Sequence, residues 1–219
     1  MNKKIYNYLT IEELNIFLHT AKKYEDITSY TFFLVAVYTG MRKGEICGLK
    51  WRNIDLKNNI ITIERTRDDI DTRTPKTKNS YRRILVDDFV IDQLKKYQVW
   101  SKQILLKHGK QFDDHLFVFI NKFNNLLHGA AIHKLFRVTI LKAGILNNDG
   151  EPKITFHGLR HTYATTLLNS GQNVKAIAQR LGNTPAMIYE VYGHVMKELE
   201  EQAVEVFSKS LAYGTKANV

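Results

Sequence analysis

The chain has 219 residues, of which 44% are hydrophobic and 25% are charged, a composition typical of a globular protein with a buried core. Lysine and arginine number 32 against 22 aspartate and glutamate, and the net charge of +10 favours a polyanionic partner such as nucleic acid. The single cysteine, Cys47, excludes an intrachain disulfide framework and a thiolate-rich zinc site, and no apolar run approaches the roughly 18 residues of a membrane span.

Helical signals dominate the first 50 residues. Thr10 and Glu13 have the spacing of a capping box, which predicts the start of a helix. The next segment, residues 27–38, is apolar almost all round in its second half and predicts a buried central helix that Gly40 ends. A short helix is expected at residues 43–49.

Residues 50–86 change in character. The β-branched segment 59–64 predicts a strand, preceded by a polar turn at 55–58. A second strand is predicted at 81–86, and the charged residues 72–80 form the loop between the two. We therefore expect a small antiparallel sheet of about three strands.

Helical signals resume after this sheet and continue to the end of the chain. The predicted helices cover residues 88–107, 129–143, 157–168, 174–181, 185–192 and 196–212. The resulting fold class is α+β and mainly helical.

Four features could carry chemistry, although each alone is a weak signal. Arg42 directly follows the buried helix, and Lys76 lies in the loop between two strands. His157, Arg160 and His161 share one face at the start of a helix because they are spaced i, i+3 and i+4. Tyr192 is the fourth candidate, although most tyrosines have a structural role.

Two metal chemistries are disfavoured. His157 and His161 have the spacing of zinc ligands, but Gly158 stands where a metalloprotease has its glutamate, and Arg160 would repel a cation. Three acidic pairs lie in predicted loops or helix starts and do not suggest a converging metal cluster. These pairs are Asp68-Asp69, Asp87-Asp88 and Asp113-Asp114. We expect no metal site.

A purely DNA-binding interpretation also fits part of the chain. Residues 157–181 have the outline of a helix-turn-helix, with the turn at 169–171. Such a module would explain the positive charge without any catalysis.

The order of the signals favours a more specific interpretation. Along the chain they are Thr39-Gly40-Met41-Arg42, Lys76 in a hairpin loop, His157-Gly158-Leu159-Arg160-His161-Thr162, and Leu181-Gly182 followed by Tyr192. In this order they resemble the catalytic domain of the tyrosine recombinase (phage integrase) family. The resemblance covers nearly the whole chain, from about residue 8 to the last helix.

The resemblance implies a role for each residue. Tyr192 would attack a DNA phosphorus and form a 3′-phosphotyrosyl link. Arg42 and Arg160 would bind the non-bridging phosphate oxygens, Lys76 would protonate the departing 5′ oxygen, and His157 would assist proton transfer and hold the phosphate.

The same resemblance implies the partners. Glu45 matches an acidic position and would have a supporting role, such as orienting an arginine. Lys78 would join Arg42, Lys76 and Arg160 in contacting double-stranded DNA. The family implies a homo-oligomer, a tetramer, on that DNA, and it requires no cofactor because the cationic side chains supply the charge.

This sequence departs from the family pattern at one catalytic position. The residue after Leu181-Gly182 is usually histidine and sometimes tryptophan, whereas here it is Asn183. An amide can still donate a hydrogen bond to phosphate, but it does not titrate near neutral pH. Tyr189, three residues before Tyr192, is a competing nucleophile, and the family spacing favours Tyr192.

The extent of the similarity leads to two further expectations. Family members usually carry N-terminal DNA-binding domains, whereas we expect residues 1–219 to form a single catalytic domain without them. Residues 196–213 include an amphipathic helix that could dock on its own domain. In family members this helix often docks on a neighbouring protomer, so we expect it to exchange between subunits.

The function implied is site-specific DNA recombination in the integration or excision of a mobile element. Its setting would be the cytoplasm of a bacterium, in association with the nucleoid. Two alternatives remain open: DNA relaxation like that of a type IB topoisomerase, and a DNA-binding regulator of the same fold without activity.

Overall fold

The computed structural model describes residues 7–67, 72–73 and 81–211. Lys76 and Lys78, both predicted to contact DNA, lie outside the described residues. The helices are α1 (Ile11–Tyr24), α2 (Ile27–Thr39), α3 (Lys43–Cys47), α4 (Asp88–Lys107), α5 (Gly129–Lys142), α6 (Gly158–Asn169), α7 (Val174–Leu181) and α8 (Pro185–Ser210). The strands are β1 (Ile54–Asp55), β2 (Ile60–Ile63), β3 (Thr66–Arg67), β4 (Thr72–Arg73) and β5 (Arg82–Leu85), and a 3₁₀ turn covers Trp51–Asn53.

The first two helices form as the sequence predicts. Thr10 accepts a hydrogen bond from the backbone N–H of Glu13, and the Glu13 carboxylate accepts one from the backbone N–H of Thr10. Helix α2 is buried along most of its length and ends at Gly40 in the left-handed conformation, with φ of 62°. A Cβ atom at Gly40 would lie 2.7 Å from the Tyr163 ring, so both backbone and packing require glycine here.

The three-stranded antiparallel sheet has the order β1-β2-β5, which confirms the predicted number of strands. Its register pairs Ile61 with Ile84 and Ile63 with Arg82. The predicted turn at 55–58 begins too early, because Asp55 belongs to β1 and pairs with Ile60. The first two residues of the predicted loop 72–80 form a strand instead, because β4 pairs with β3 in a two-stranded antiparallel ribbon.

The C-terminal segment forms the two predicted helices with a different junction. Helices were expected at 185–192 and 196–212, and the structure has two helical segments that join directly at a kink at Tyr192 and are counted together as α8. The backbone of Tyr192 departs from helical geometry, with φ of −112° and ψ of 15°. The kink therefore lies at the predicted nucleophile.

Helix α6 connects two hydrophobic clusters. Its residue Leu159 belongs to the main core, which α2, the sheet and α4 share. Ala164 and Leu168, farther along α6, pack in a second cluster with residues of α7 and α8, including Tyr192. The residues at the start of α6 therefore lie where the two clusters meet. Among the described residues, no helix is long and apolar enough to cross a membrane.

Candidate active site

Arg42 lies between α2 and α3, at the N-terminus of the short helix α3. Its backbone N–H and its Nη1 both donate to the carboxylate of Glu45, over 2.8 Å and 3.1 Å. The side chain of Arg42 is partly exposed, whereas that of Glu45 is 3% exposed. A buried acidic group thus holds one side of the guanidinium and leaves part of it accessible to a ligand.

Glu45 also binds a second arginine that the sequence analysis did not assign to the site. Nη1 and Nη2 of Arg82, in β5, donate to the two carboxylate oxygens of Glu45 at 3.0 Å and 2.9 Å. Burial alone would raise the pKa of Glu45, but the hydrogen bonds and charge of Arg82, aided by Arg42, outweigh burial and lower it. Glu45 is therefore ionised and joins the two arginines.

Arg160, in the first turn of α6, is 5% exposed. Its Nη1 donates to the carbonyl of Gly40 at 2.8 Å and its Nη2 to the carbonyl of Leu181 at 2.7 Å. These carbonyls lie at the C-terminal ends of α2 and α7, where the helix dipole favours a cation. Burial, with the charge of Arg42 next in size, lowers the pKa of Arg160 to about 9, so the group stays protonated at neutral pH.

Asn183 follows directly on the left-handed Gly182 that ends α7, whose φ is 65°. Its side-chain oxygen accepts a hydrogen bond of 2.7 Å from Nη2 of Arg42. The amide oxygen therefore faces the arginine, and the amide NH₂ group is directed elsewhere. Asn183, the residue that departs from the family pattern, therefore contacts Arg42, one of the two arginines predicted to bind phosphate.

His157 and His161 come from the start of α6, and their rings meet edge to face with centroids 4.9 Å apart. Burial, followed by the positive charges of His161, Arg160 and Arg42, lowers the pKa of His157 to about 4. Burial and the charge of Arg160 also lower the pKa of His161. Both rings are therefore neutral at pH 7, and either can accept a proton.

Tyr192 enters the site from α8 and is 5% exposed. Its hydroxyl lies 2.9 Å from Nδ1 of His161. Burial raises the pKa of Tyr192 to about 12, against the lowering effect of Arg160. The competing Tyr189 is 56% exposed, and the structure brings only Tyr192 into contact with the histidines.

The predicted residues therefore converge, apart from those outside the described ranges. Arg42, Asn183 and Arg160 are linked through the end of α7, and His161 connects Arg160 to Tyr192. The arrangement combines two guanidinium groups, a tyrosine hydroxyl and neutral imidazoles. A guanidinium group can donate two parallel hydrogen bonds to phosphate oxygens, and it keeps its charge. This site can therefore hold a phosphodiester next to a tyrosine hydroxyl.

A possible cation site lies among other residues. The ligand atoms of Asp113, Asp114 and His115 lie within 4.8 Å of one another, and all three residues are exposed. The three residues are consecutive in the chain, and the expectation of no metal site stays a prediction. Nδ1 of His115 also lies 3.0 Å from Nη1 of Arg52. A group of exposed acidic residues beside an arginine does not by itself form a metal centre, and none of the predicted catalytic residues belongs to it.

Two residues of the site, Arg82 and His161, have sequence patterns that indicate which face of their strand or helix they occupy. Arg82 lies two residues before Ile84 in β5, so the two side chains share the more buried face of the strand. His161 shares a helix face with His157 and Arg160 and belongs to the same motif, but the resemblance implied no catalytic role for it. In both cases the periodicity indicates the direction of the side chain, while the partner comes from a distant part of the chain.

Comparisons with known proteins show which family this chain resembles in sequence. The model of the family described as the phage integrase family matches residues 7–198. A tyrosine recombinase XerC-like protein of Caldanaerobacter subterraneus subsp. tengcongensis is 30% identical over 80% of this chain and 48% of its own length. The integrase of Staphylococcus phage L54a is 27% identical over 94% of this chain and 60% of its own length.

A solved structure has a similar fold. The site-specific recombinase XerH, bound to its difH substrate in a pre-cleavage complex, superposes with a TM-score of 0.68 and 25% identity, covering 94% of this chain and 56% of that chain. The present chain spans about half the length of the curated relatives it matches. The family model covers most of the chain, and the chain therefore belongs to the phage integrase family.

Proposed function

We propose that this chain is the catalytic part of a site-specific DNA recombinase that cuts and rejoins DNA through a covalent 3′-phosphotyrosine intermediate. The observation that carries the proposal is the position of the buried Tyr192 hydroxyl beside the base of α6, where Arg160 and His161 are adjacent. A tyrosine that served only the core would not need a histidine at its hydroxyl and the charge of Arg160 nearby.

The charges of the site fit phosphoryl transfer. A phosphodiester carries one negative charge, and its transition state gathers more charge on the oxygens. Arg42 and Arg160 bring preorganised positive charge to that position, which is typically the largest catalytic contribution in such sites. Arg160 is held in place by two carbonyls, so little reorganisation is needed when the phosphate binds. His157 and the Asn183 amide supply further contacts to the phosphate.

The covalent step explains how joining needs no separate energy source. Attack by Tyr192 breaks the bond to the 5′ oxygen and keeps the phosphodiester as an enzyme–DNA link. Lys76 protonates the departing 5′ oxygen. A new 5′ hydroxyl then attacks the link and releases Tyr192. The arginines and lysines provide the charge, so the proposal requires no metal ion or cofactor.

The partners follow from the same proposal. The DNA is double-stranded, and Lys78 adds a contact to its backbone. Several copies act together as a tetramer, with the end of α8 docked on a neighbouring subunit. Along this end Val204, Val206 and Phe207 are each about two thirds exposed, an unusual state for apolar side chains on one helix. Relatives from a phage and a transposon suggest a mobile element as the source of the DNA.

Covalent capture on DNA tests the chemistry. Wild type, Tyr192→Phe and Tyr189→Phe are incubated at low salt with a pool of nicked duplexes, and trapped strands are separated on denaturing gels and sequenced. We expect a covalent band with wild type and Tyr189→Phe and none with Tyr192→Phe. A band lost only in Tyr189→Phe would overturn the assignment of the nucleophile. DNA binding without any band would favour an inactive regulator.

Two further assays separate the remaining alternatives. Exchange of strands between two differently marked duplexes is expected of a recombinase and not of a relaxing enzyme of the topoisomerase type. Deletion of residues 197–219 is expected to weaken assembly on DNA while leaving binding of one copy intact. Unchanged assembly would show that the end of α8 does not dock on a neighbour.

A further inference from the structure

The hydroxyl of Tyr192 has one hydrogen-bond partner among the described residues, and that partner is His161. The distance from Oη to Nδ1 is 2.9 Å, and the two rings meet edge to face with centroids 5.6 Å apart. His161 follows Arg160 directly on α6, while Tyr192 lies at the kink of α8. The contact therefore joins two helices at the atom that forms the new bond to phosphorus.

The protonation states of the two groups allow the tyrosine to be the donor in this hydrogen bond. Tyr192 is buried, and burial raises its pKa to about 12, so the hydroxyl is protonated at neutral pH. Burial and the charge of Arg160 lower the pKa of His161, so its ring is neutral and offers one nitrogen as an acceptor. When the ring proton is carried by Nε2, the acceptor is Nδ1 and the tyrosine O–H donates to it.

The neighbouring groups are poorly suited to accept the tyrosine proton. Arg42 and Arg160 are cations without an acceptor atom. Glu45 is occupied on both oxygens by Arg82 and Arg42. His157 contacts the ring of His161, and no hydrogen bond joins it to Tyr192 among the described residues.

We propose that His161 is the proton acceptor that activates Tyr192 in DNA cleavage, an inference that rests on the proposed function. As the bond from Oη to phosphorus forms, the hydroxyl proton moves to Nδ1 of His161. The bond from phosphorus to the 5′ oxygen breaks, and that oxygen takes its proton from Lys76. In rejoining, the 5′ hydroxyl attacks phosphorus and returns a proton to Lys76, and the proton on Nδ1 returns to Tyr192.

Variants at His161 distinguish proton transfer from simple positioning. The rate of covalent-complex formation is measured at pH 7 in single turnovers, on the nicked duplex recovered by covalent capture. His161→Ala should be slower by about 10²- to 10⁴-fold, the usual contribution of a general base, and added imidazole should restore part of the rate. His161→Asn keeps an oxygen near the position of Nδ1 but does not accept a proton, so it should be as slow as His161→Ala.

Controls make the rates interpretable. His108→Ala removes a histidine at the end of α4 whose Nδ1 lies 2.9 Å from the carbonyl of Ile104, and it should keep the wild-type rate. Tyr192→Phe should form no complex, with or without imidazole. A wild-type rate in His161→Asn would assign His161 to positioning alone and would overturn the proposal.

A second measurement tests the hydrogen bond without any DNA chemistry. In the full chain labelled with ¹⁵N-histidine, the resonances of His161 are assigned by their loss in His161→Asn. We expect an unprotonated Nδ1 and a protonated Nε2 near pH 7, and we expect the Nδ1 resonance to move in Tyr192→Phe. A proton on Nδ1 would overturn the role of His161 even if covalent capture succeeds. The expected tautomer without covalent capture would instead count against the proposed function.

Discussion

The side-chain oxygen of Asn183 accepts a hydrogen bond of 2.7 Å from Nη2 of Arg42, a residue 141 positions earlier in the chain. The residue that departs from the family pattern is thus a direct partner of a predicted phosphate ligand. Its oxygen accepts from Nη2 of Arg42, whereas Glu45 accepts from Nη1. We therefore expect Asn183 to position Arg42, a role that does not require a titratable group.

Asn183→Ala tests this role. Removing the acceptor should free one side of Arg42, and a hydrogen bond to a charged group contributes about 1.5–3 kcal/mol. The rate of covalent-complex formation should therefore fall about 10- to 100-fold. Asn183→His restores the common residue of the family and should be at least as fast as wild type. An unchanged rate in Asn183→Ala would show that Arg42 is positioned without this contact.

Glu45→Gln should strongly destabilise the fold. It removes a buried charge and leaves Arg82, whose side chain is 6% exposed, without its ionic partner. Breaking a buried pair in this way costs about 3–5 kcal/mol in the free energy of unfolding, measured by urea denaturation. Glu64→Gln is the matched control, because the Arg52–Glu64 pair is half-exposed and should contribute less than about 1 kcal/mol. Equal effects at the two positions would contradict the structural role of Glu45.

The same carboxylate predicts a dependence of stability on pH. The pKa of Glu45 in the folded protein lies below its ordinary value of 4.5. Its contribution to stability is therefore fully present above pH 4.5 and is lost as the pH falls through the lower, folded pKa. Urea unfolding of wild type should weaken over this acidic range more steeply than that of Glu45→Gln. Parallel curves would indicate that Glu45 is protonated at a similar pH in both states.

Gly40→Ala should impair both stability and activity. The left-handed conformation costs a non-glycine residue roughly 1–2 kcal/mol, and the new Cβ would lie 2.7 Å from the Tyr163 ring and 2.8 Å from Leu181. Gly171→Ala is the matched control, because it has a φ of 72° and open space around the Cβ position. The unfolding free energy of Gly40→Ala should therefore fall further than that of Gly171→Ala. Equal losses would mean that the packing against Tyr163 adjusts freely.

Arg160→Lys tests the two carbonyl contacts. A lysine has one nitrogen and cannot reproduce the planar fork that reaches Gly40 and Leu181 together. Leaving one buried carbonyl without a donor should lower the free energy of unfolding by about 1–3 kcal/mol, and the covalent rate should fall as well. Arg137→Lys, at a half-exposed ion pair with Glu151, should change neither. Retention of wild-type stability in Arg160→Lys would show that the carbonyls find other donors.

Local patterns predicted most of the helices and the sheet. Thr10 and Glu13 indicated the start of α1, and Gly40 and Gly182 indicated the ends of α2 and α7. These signals act within one turn of the chain, so they can be recognised without the tertiary structure. The two helices expected at 185–192 and 196–212 are present, but they join directly at a kink at Tyr192, which packs with residues of α6 and α7.

Residue types and their order were sufficient to select Arg42, Arg160, His157 and Tyr192 as candidates, since each lies in a short motif that occurs in a fixed order along the chain. The contacts between them were decided only by the tertiary structure. Glu45 binds Arg82 across 37 residues and Asn183 binds Arg42 across 141. The contact of His161 with Tyr192 exists because α6 and α8 pack together. A sequence motif specifies which chemical groups are present, whereas their distances, burial and charge depend on helices brought together from separate parts of the chain.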